Sequence, residues 1–358
     1  MQNRRRTALA AATACAACVL TGCGAAGPAP GSGDGREHFV LAGPFCAGEA
    51  SVPWHATFSP DGRWVARLDG FGAPSRAIAV LDAATGQVAW SEGDGRQAAA
   101  RPAVFARDSK RLFLIAGDRL LVKELDGGAW PTRRSIALGF EPAVQFPHPC
   151  RLALTPDERG LLLEHDAMAW RVDLVQGKTE RVAPGIDGVF GVFVLLDGTP
   201  VLSVWRADHT ETVLLDGVGN VRRTLPGALL EASPDGARWL VASGPRPELG
   251  GARPAPGLEL QIVEAASGTR LGSFTVGDLT QAAFSPDGRY LVTGEDFKHV
   301  VLRAADSGRP LQAIREYEGD RIVHLAFGAD GTTLLTAGRL GIVGKETGIL
   351  SWRSSRPR

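Results

Sequence analysis

Residues 284–294, FSPDGRYLVTG, combine a turn signal with a short run of strand-forming residues. Proline presets φ for the first turn position, and Asp-Gly supplies a tight reversal because glycine adopts a positive φ without steric cost. The apolar run that follows is bounded by turn formers, which is typical of a buried β-strand. Residues 58–70, FSPDGRWVARLDG, repeat almost the same pattern, so the chain is predicted to use one β-hairpin design more than once.

Seven stretches follow this pattern, and each carries an aspartate at the turn. These aspartates are Asp61, Asp108, Asp157, Asp197, Asp235, Asp287 and Asp330, and successive ones are 47, 49, 40, 38, 52 and 43 residues apart. A second hairpin pattern follows each one, as in IAVLDAATGQVAW at 78–90. Four short strands with a period in the forties predict an all-β fold, a seven-bladed β-propeller of four-stranded antiparallel blades. A β-sandwich or two separate β domains would not require so regular a period.

The repeat has two structural consequences. Structural turn roles are predicted for Asp61, Gly62, Asp235, Gly236, Asp287, Gly288, Asp330 and Gly331. An isolated blade leaves both apolar faces exposed, so every blade needs two neighbours and the ring must close. The last blade can take its outer strand from ILSWR at 349–353 or from HFVLAG at 38–43, and we favour the N-terminal strand.

The stretch TGEDFKHVVLRAADSG, residues 293–308, resembles a WD-repeat. In this resemblance Asp296 takes the place of the family's structural aspartate, and Arg303-Ala304 stands where Trp-Asp normally occurs. The chain contains no Gly-His or Trp-Asp dipeptide, so the family's Asp–His–Ser/Thr–Trp hydrogen-bond network is not expected. AVLDAATGQVAW also resembles blades of quinoprotein-type propellers, in which a tryptophan follows the turn glycine by four, as Trp90 and Trp352 do. Both resemblances imply a fold and leave the function open.

The N-terminus predicts export and a lipid anchor. A cationic start, MQNRRR, precedes an apolar stretch of 13 residues at 8–20, which suits a signal peptide and is too short to span a bilayer. LTGC at 20–23 resembles the lipobox of bacterial lipoproteins, which implies a signal peptide at 1–22, lipidation of Cys23 and attachment to a bacterial membrane, on the outer face of the cell membrane or in the periplasm. An ordinary secretory signal is the alternative. Residues 23–36 are rich in Gly, Pro and Ser and are predicted to be a flexible tether to a propeller at 37–358.

The rest of the composition argues against several kinds of chemistry. The chain has 39 basic and 39 acidic residues and no long basic block, so a nucleic-acid partner is not expected. Cys46 and Cys150 either form a disulfide in the oxidising compartment or remain two thiols. Outside the predicted signal peptide, which contains Cys15 and Cys18, no H-x-x-x-H, C-x-x-C or G-x-S-x-G pattern is present, so neither a metal, a cofactor nor catalytic residues are predicted. His55 and His148, near strand starts, are interpreted as ordinary loop or core residues.

Three long connections are predicted to lie on one face of the ring, around the mouth of its channel. They are SEGDGRQAAARP at 91–102, LGFEPAVQFPHPC at 138–150 and SGPRPELGGARPAPG at 243–257. Loops on a rigid scaffold commonly carry binding. We therefore expect a non-enzymatic binding or scaffolding module with a protein partner on this face. A propeller enzyme, quinoprotein-like or hydrolytic, and a sensor of a small ligand or glycan are the alternatives.

Overall fold

The structure is a computed structural model. It describes residues 39–48, 53–69, 78–92, 103–126, 128–140, 152–244, 257–277, 279–295, 299–315, 322–340 and 346–354. The chain separates into two compact units, residues 1–37 and 38–358. The first unit contains the predicted signal peptide and the whole of the predicted tether, and it lies outside the described residues.

In the described part of the chain, strands pair into seven four-stranded antiparallel sheets, and six of them consist of four consecutive strands. Sheet 1 contains β2 (Pro53–Phe58), β3 (Trp64–Asp69), β4 (Ile78–Asp82) and β5 (Val88–Glu92). Sheet 2 contains β6 (Ala103–Phe105), β7 (Arg111–Ala116), β8 (Arg119–Glu124) and β9 (Thr132–Ala137). Sheet 3 contains β10 (Leu152–Leu154), β11 (Gly160–His165), β12 (Met168–Asp173) and β13 (Lys178–Val182).

The next three sheets have the same construction. Sheet 4 contains β14 (Val189–Val194), β15 (Pro200–Trp205), β16 (Thr210–Leu215) and β17 (Val221–Pro226). Sheet 5 contains β18 (Ala228–Ala232), β19 (Arg238–Ala242), β20 (Leu258–Glu264) and β21 (Arg270–Val276). Sheet 6 contains β22 (Leu279–Phe284), β23 (Tyr290–Glu295), β24 (His299–Ala304) and β25 (Pro310–Arg315).

Sheet 7 joins the two ends of the chain. It consists of β26 (Ile322–Phe327), β27 (Thr333–Leu340), β28 (Glu346–Ser354) and, as its outermost strand, β1 (Phe39–Gly48), in the order β1-β28-β27-β26. The prediction that an N-terminal strand completes the last unit is therefore confirmed. Pro44 lies within β1, where its missing N–H is tolerated because an edge strand need not donate on its free side.

One detail of the last unit differs from the sequence interpretation. Trp90 lies on β5, the fourth strand of its sheet, whereas Trp352 lies on β28, a third strand. The two tryptophans therefore do not occupy equivalent positions, although both follow a glycine by four residues. The reason is topological: β1 supplies the fourth strand from a distant part of the chain, so the last hairpin is formed by strands two and three.

The core lies between sheets. Each of seven apolar clusters in the described residues combines side chains of two consecutive sheets, and one of them packs Leu335 of sheet 7 against Ala56 and Leu81 of sheet 1. Second strands such as β7 and β11 are buried because they contact a neighbour on either side. Outer strands such as β9 and β17 are largely exposed. The predicted all-β propeller of four-stranded antiparallel blades is confirmed.

The ring has two distinct faces. We call the "turn face" the one that carries the turns between first and second strands and between third and fourth strands. The predicted aspartate turns lie there and touch one another from sheet to sheet: the N–H of Asp61 donates to Ser109 Oγ at 2.9 Å, and Arg238 donates to Gly288 O at 2.8 Å. We call the opposite side, with the turns between second and third strands and the connections between sheets, the "loop face".

Among the described residues, no helical segment combines the length and the hydropathy that a membrane span requires.

Candidate functional site

The three long connections predicted from the sequence start and end on the loop face. The largest begins after β19 at Ala242 and ends before β20 at Leu258, so it lies between a second and a third strand as predicted. The other two connect sheet 1 to sheet 2 and sheet 2 to sheet 3. Residues 93–102, 141–151 and 245–256 lie outside the described part of the chain, and the described part of the site consists of the residues that flank them.

Buried hydroxyls of sheet 4 hold the base of the largest insertion. Thr210 Oγ1 donates to Gly244 O at 3.0 Å, at the point where the insertion begins. Thr212 Oγ1 donates to Gly227 O at 2.7 Å, and Ser203 Oγ donates to Leu229 O at 2.6 Å. All three hydroxyl side chains are buried, and their hydrogen bonds join sheet 4 to the backbone of sheet 5. The insertion therefore starts from a rigid junction between two sheets.

A compact turn beside this junction exposes large polar and aromatic side chains. The turn between β15 and β16 closes with the N–H of Arg206 donating to His209 O at 2.9 Å, and Trp205 N donates to Gly188 O at 2.7 Å. Trp205 is 41% exposed. The side chains of Asp208 and His209 are also exposed. We call these four residues, Trp205, Arg206, Asp208 and His209, the "sheet-4 patch".

Ion pairs orient the charged members of this patch. Arg206 contacts Glu211 Oε1 with Nε at 2.7 Å and Nη2 at 2.6 Å, and Nη1 reaches Asp187 O at 3.4 Å. Arg181 Nη2 pairs with Asp187 Oδ1 at 2.5 Å. Asp208 Oδ1 lies 2.7 Å from His209 Nδ1, and the hydrogen bond and charge of that histidine lower the pKa of Asp208. The patch thus presents both signs of charge around one tryptophan.

A second group of aromatic side chains borders the loop face between sheets 2 and 3. The ring of Phe140 stacks on the imidazole of His165 with centroids 4.4 Å apart and contacts Trp170 at 4.6 Å. His165 ends β11 and its side chain is 11% exposed. The stack holds the residue from which the 141–151 connection departs. It therefore acts as a second rigid base under a long connection.

The described part of the loop face presents side chains of the kinds that are common at protein interfaces. Tryptophan and arginine are the side chains that most often dominate the energetics of protein interfaces. Both are presented here on a tight turn, so little conformational entropy is lost when a partner binds. In the described residues no group of three or more His, Cys, Asp or Glu side chains has an arrangement that could hold a metal ion.

The predicted turn residues lie on the turn face and form local hydrogen-bond networks. Partial burial by itself raises the pKa of Asp61, but hydrogen bonds from Ser59 and from the Arg63 N–H outweigh it, so the pKa is lowered. At Asp157 the hydroxyl of Thr155 is the largest cause of a lowered pKa. Lowered pKa values for the same kinds of reason occur at Asp108, Asp197, Asp235 and Asp287. Gly62, Gly236, Gly288 and Gly331 all have a positive φ, as these turns require.

Other predicted residues fall outside what the structure describes. Cys23, Cys150, His148 and Asp296 are not among the described residues. Cys46 lies on β1 opposite Ile349, and His55 lies on β2 opposite Leu68. The disulfide between Cys46 and Cys150 and the lipidation of Cys23 therefore stay predictions.

Sequence reasoning missed a buried charged network where a WD-repeat has tryptophan. Arg303 Nη2 pairs with Glu295 Oε1 at 2.6 Å, Nε contacts Thr293 Oγ1 at 3.2 Å, and Nη1 donates to Gly308 O at 3.0 Å. The guanidinium also lies 4.0 Å over the ring of Phe274, on the outer strand of sheet 5.

Lys123 on β8 occupies the matching penultimate position of a third strand. Its ammonium lies 4.9 Å over the ring of Trp90, on the outer strand of sheet 1. The residue is 3% exposed. A basic residue in the penultimate position of an otherwise apolar third strand is the sequence signal that could have predicted these two buried cations.

Comparisons with known proteins agree with this architecture. Residues 268–298 match the WD40 family, described as "WD domain, G-beta repeat". Among solved structures, a chain titled Kuenenia stuttgartiensis Hydrazine Synthase is similar, with 15% sequence identity and a TM-score of 0.64 over 88% of this chain and 99% of that chain. At this identity the likeness concerns the fold alone. A comparison with curated proteins gives no match.

Proposed function

We propose that the protein is a lipid-anchored, extracytoplasmic propeller that works as a non-enzymatic binding or scaffolding module. Its partner is a protein that contacts the loop face. WD40 propellers generally mediate protein interactions, and a WD40 repeat match and a propeller fold are both present in this chain. The observation that carries the proposal is the sheet-4 patch, a rigid turn at the base of the largest insertion that exposes Trp205 and leaves Arg206 beside it partly exposed.

The scaffold in this proposal is a closed ring of seven blades, one for each four-stranded sheet. The apolar cluster that contains Leu335, Ala56 and Leu81 supports closure between the last and the first sheet. Contacts of β26 with both β22 and β2 support the same arrangement. A closed ring suits a scaffold because every blade is held on both sides, so loops on one face keep fixed relative positions.

The location in this proposal follows from the N-terminal sequence. Lipidation at Cys23 provides a membrane anchor, and export places the propeller outside the cytoplasm. Feeding cells with radiolabelled palmitate tests the anchor, with Cys23→Ala as the control. We expect label in the wild-type chain and none in the variant; unlabelled wild-type protein would overturn the anchor.

Site-specific photocrosslinking in cells tests the binding surface. A photoreactive residue replaces either Ala207, exposed on the loop face, or Val218, 84% exposed on the turn face of the same sheet. We expect a discrete protein adduct from position 207 and not from 218. Trp205→Ala should reduce the adduct, whereas Leu271→Ala on the outer strand, which is 43% exposed, should not. Equal adducts from both faces would contradict the assignment of the loop face.

A further inference from the structure

The direction of β1 determines where the chain enters the propeller. First strands run toward the turn face, so β27 returns from it and β28 runs toward it again. Arg353 of β28 is paired with Thr333 on one side and with Val40 of β1 on the other. Thr333 N donates to Asp330 Oδ1 at 3.0 Å, which places this row of residues at an aspartate turn.

The beginning of β1 therefore lies at the turn face. Phe39 pairs with Ser354, one position beyond the row of Val40, Arg353 and Thr333 that lies at the Asp330 turn. At the other end of β1, Gly48 pairs with Thr347. Thr347 in turn pairs with Arg339, near the loop-face end of β27. Because β1 is the outermost strand of sheet 7, its first residue, Phe39, lies at the rim of the ring and on the turn face.

From this topology we infer that the anchor orients the propeller: the turn face points toward the membrane, and the loop face points away from it. The inference rests on the proposed function, because it requires the lipid at Cys23. In this orientation the sheet-4 patch faces the aqueous compartment, so its partner is a soluble protein and not lipid.

The length of the tether supports this orientation. Residues 24–38, which join the predicted lipid site at Cys23 to β1, number 15, and a Gly-rich coil of that length would have a root-mean-square reach of about 20–23 Å. A six-residue strand such as β3 is about 20 Å long, so the two faces are separated by a similar distance. To turn the loop face toward the bilayer, the tether must first span the height of the blade. That uses nearly all of its average reach and costs conformational entropy.

The charge of the turn face argues against direct contact with anionic lipid. The described connections of this face carry eleven acidic and six basic residues. The acidic ones are Asp61, Asp108, Asp126, Asp157, Glu158, Asp197, Asp216, Asp235, Asp287, Asp306 and Asp330, and the basic ones are Arg63, Arg107, Lys110, Arg159, Arg289 and Arg309. Repulsion between this face and an anionic surface is screened within about 8 Å at physiological salt. Because this screening length is shorter than the reach expected for the tether, the turn face can stay off the membrane surface while the tether remains attached.

Energy transfer to labelled lipid tests the orientation. The lipidated full-length mature protein, with a clickable residue carrying a donor at Ala207 or Val218, is reconstituted into vesicles of phosphatidylethanolamine and phosphatidylglycerol with an acceptor on the headgroup. Since the faces are about 20 Å apart, transfer from position 218 should exceed transfer from 207 by about twofold. Lengthening the tether by about 30 Gly/Ser residues raises its reach to about 37 Å and should remove the difference.

The outcomes separate this inference from the proposed function. If the protein floats with the vesicles and transfer is equal or greater from Ala207, the orientation is wrong and the anchor stands. If the wild-type protein does not float with the vesicles, both the anchor and the orientation are wrong. Photocrosslinking to lipid in the same vesicles gives a second readout. If a photoreactive residue at position 207 forms as much lipid adduct as one at position 218, the orientation is also wrong.

Discussion

Replacing Glu158 tests how neighbouring turns are joined. This residue stands where most of the aspartate turns have glycine, and its φ of 55° is in the left-handed region. Its carboxylate accepts a hydrogen bond from the Arg107 N–H at 2.6 Å and pairs with Arg111 across the boundary between sheets 2 and 3. The strained backbone is maintained because the side chain bridges two turns.

The magnitudes follow from these contacts. A hydrogen bond to a charged group contributes about 1.5–3 kcal/mol, and a partly exposed ion pair contributes about 0.5–1 kcal/mol. The left-handed conformation costs a residue with a Cβ about 1 kcal/mol, and glycine avoids that cost. Glu158→Gly should therefore lower the free energy of unfolding by about 1–3 kcal/mol, and Glu158→Ala by about 1 kcal/mol more.

Urea unfolding of the chain without residues 1–23, followed by tryptophan fluorescence, measures these differences. Gly236→Ala is the matched control, because Gly236 occupies the same kind of turn at a φ of 69° and an added methyl would meet its nearest atom at 3.7 Å. It should lose about 1 kcal/mol from strain alone. The reasoning is refuted if Glu158→Gly is as stable as the wild type, because the bridge between turns would then contribute nothing.

Three other perturbations address the network at Arg303, the turn aspartates and the junction at Thr210. Glu295→Ala leaves the buried Arg303 guanidinium without its carboxylate and should lower the free energy of unfolding in urea by about 3–5 kcal/mol. Replacing both residues with Met and Leu should lower it by less. If the single and the double variant lose the same amount, Arg303 and Glu295 do not act as a buried charge pair. The pKa of Asp61 is lowered on folding, so the stabilisation by its carboxylate is present above about pH 4 and is lost as the pH falls through the pKa of the folded state. Asp61→Asn should therefore make the melting temperature fall less on acidification. An unchanged pH profile in this variant would show that Asp61 does not contribute to acid unfolding. Thr210→Val removes the hydrogen bond to Gly244 and should lower stability by about 1 kcal/mol and speed limited proteolysis after Gly244, with Thr224→Val, exposed on β17, as the control; unchanged cleavage would show that the insertion does not depend on this junction.

The sequence predicted the elements whose cause is local. Ser59, Asp61 and Gly62 determine their turn through bonds within five residues, since Ser59 Oγ donates to Asp61 and the N–H of Trp64 donates back to Ser59 Oγ. The position of the largest insertion was also predicted correctly. In these cases composition and spacing within a short window determine the conformation. The N-terminal closing strand was predicted correctly on a different ground, the resemblance to WD-repeat rings, because β1 pairs with β28 from a distant part of the chain.

The contacts between sheets were not predicted. Ser109 and Glu158 each replace a turn glycine, and each bonds to the preceding turn, 48 or 51 residues earlier. The sheet-4 patch gave no signal because Trp205, Arg206 and His209 form no motif. Their common exposure depends on where the turn between β15 and β16 lies relative to the neighbouring connection at Gly188.

By itself, the amino-acid sequence determined the repeat, the chemistry of its turns and the number of strands in each unit, because these depend on neighbours a few residues apart. Only the tertiary structure decided which side chains of successive units meet, that β1 starts at the turn face, and that Arg303 packs over Phe274. Those outcomes join residues tens to hundreds of positions apart. Such residues come together only when the sheets pack against each other, so the short-range pattern in the chain does not contain them.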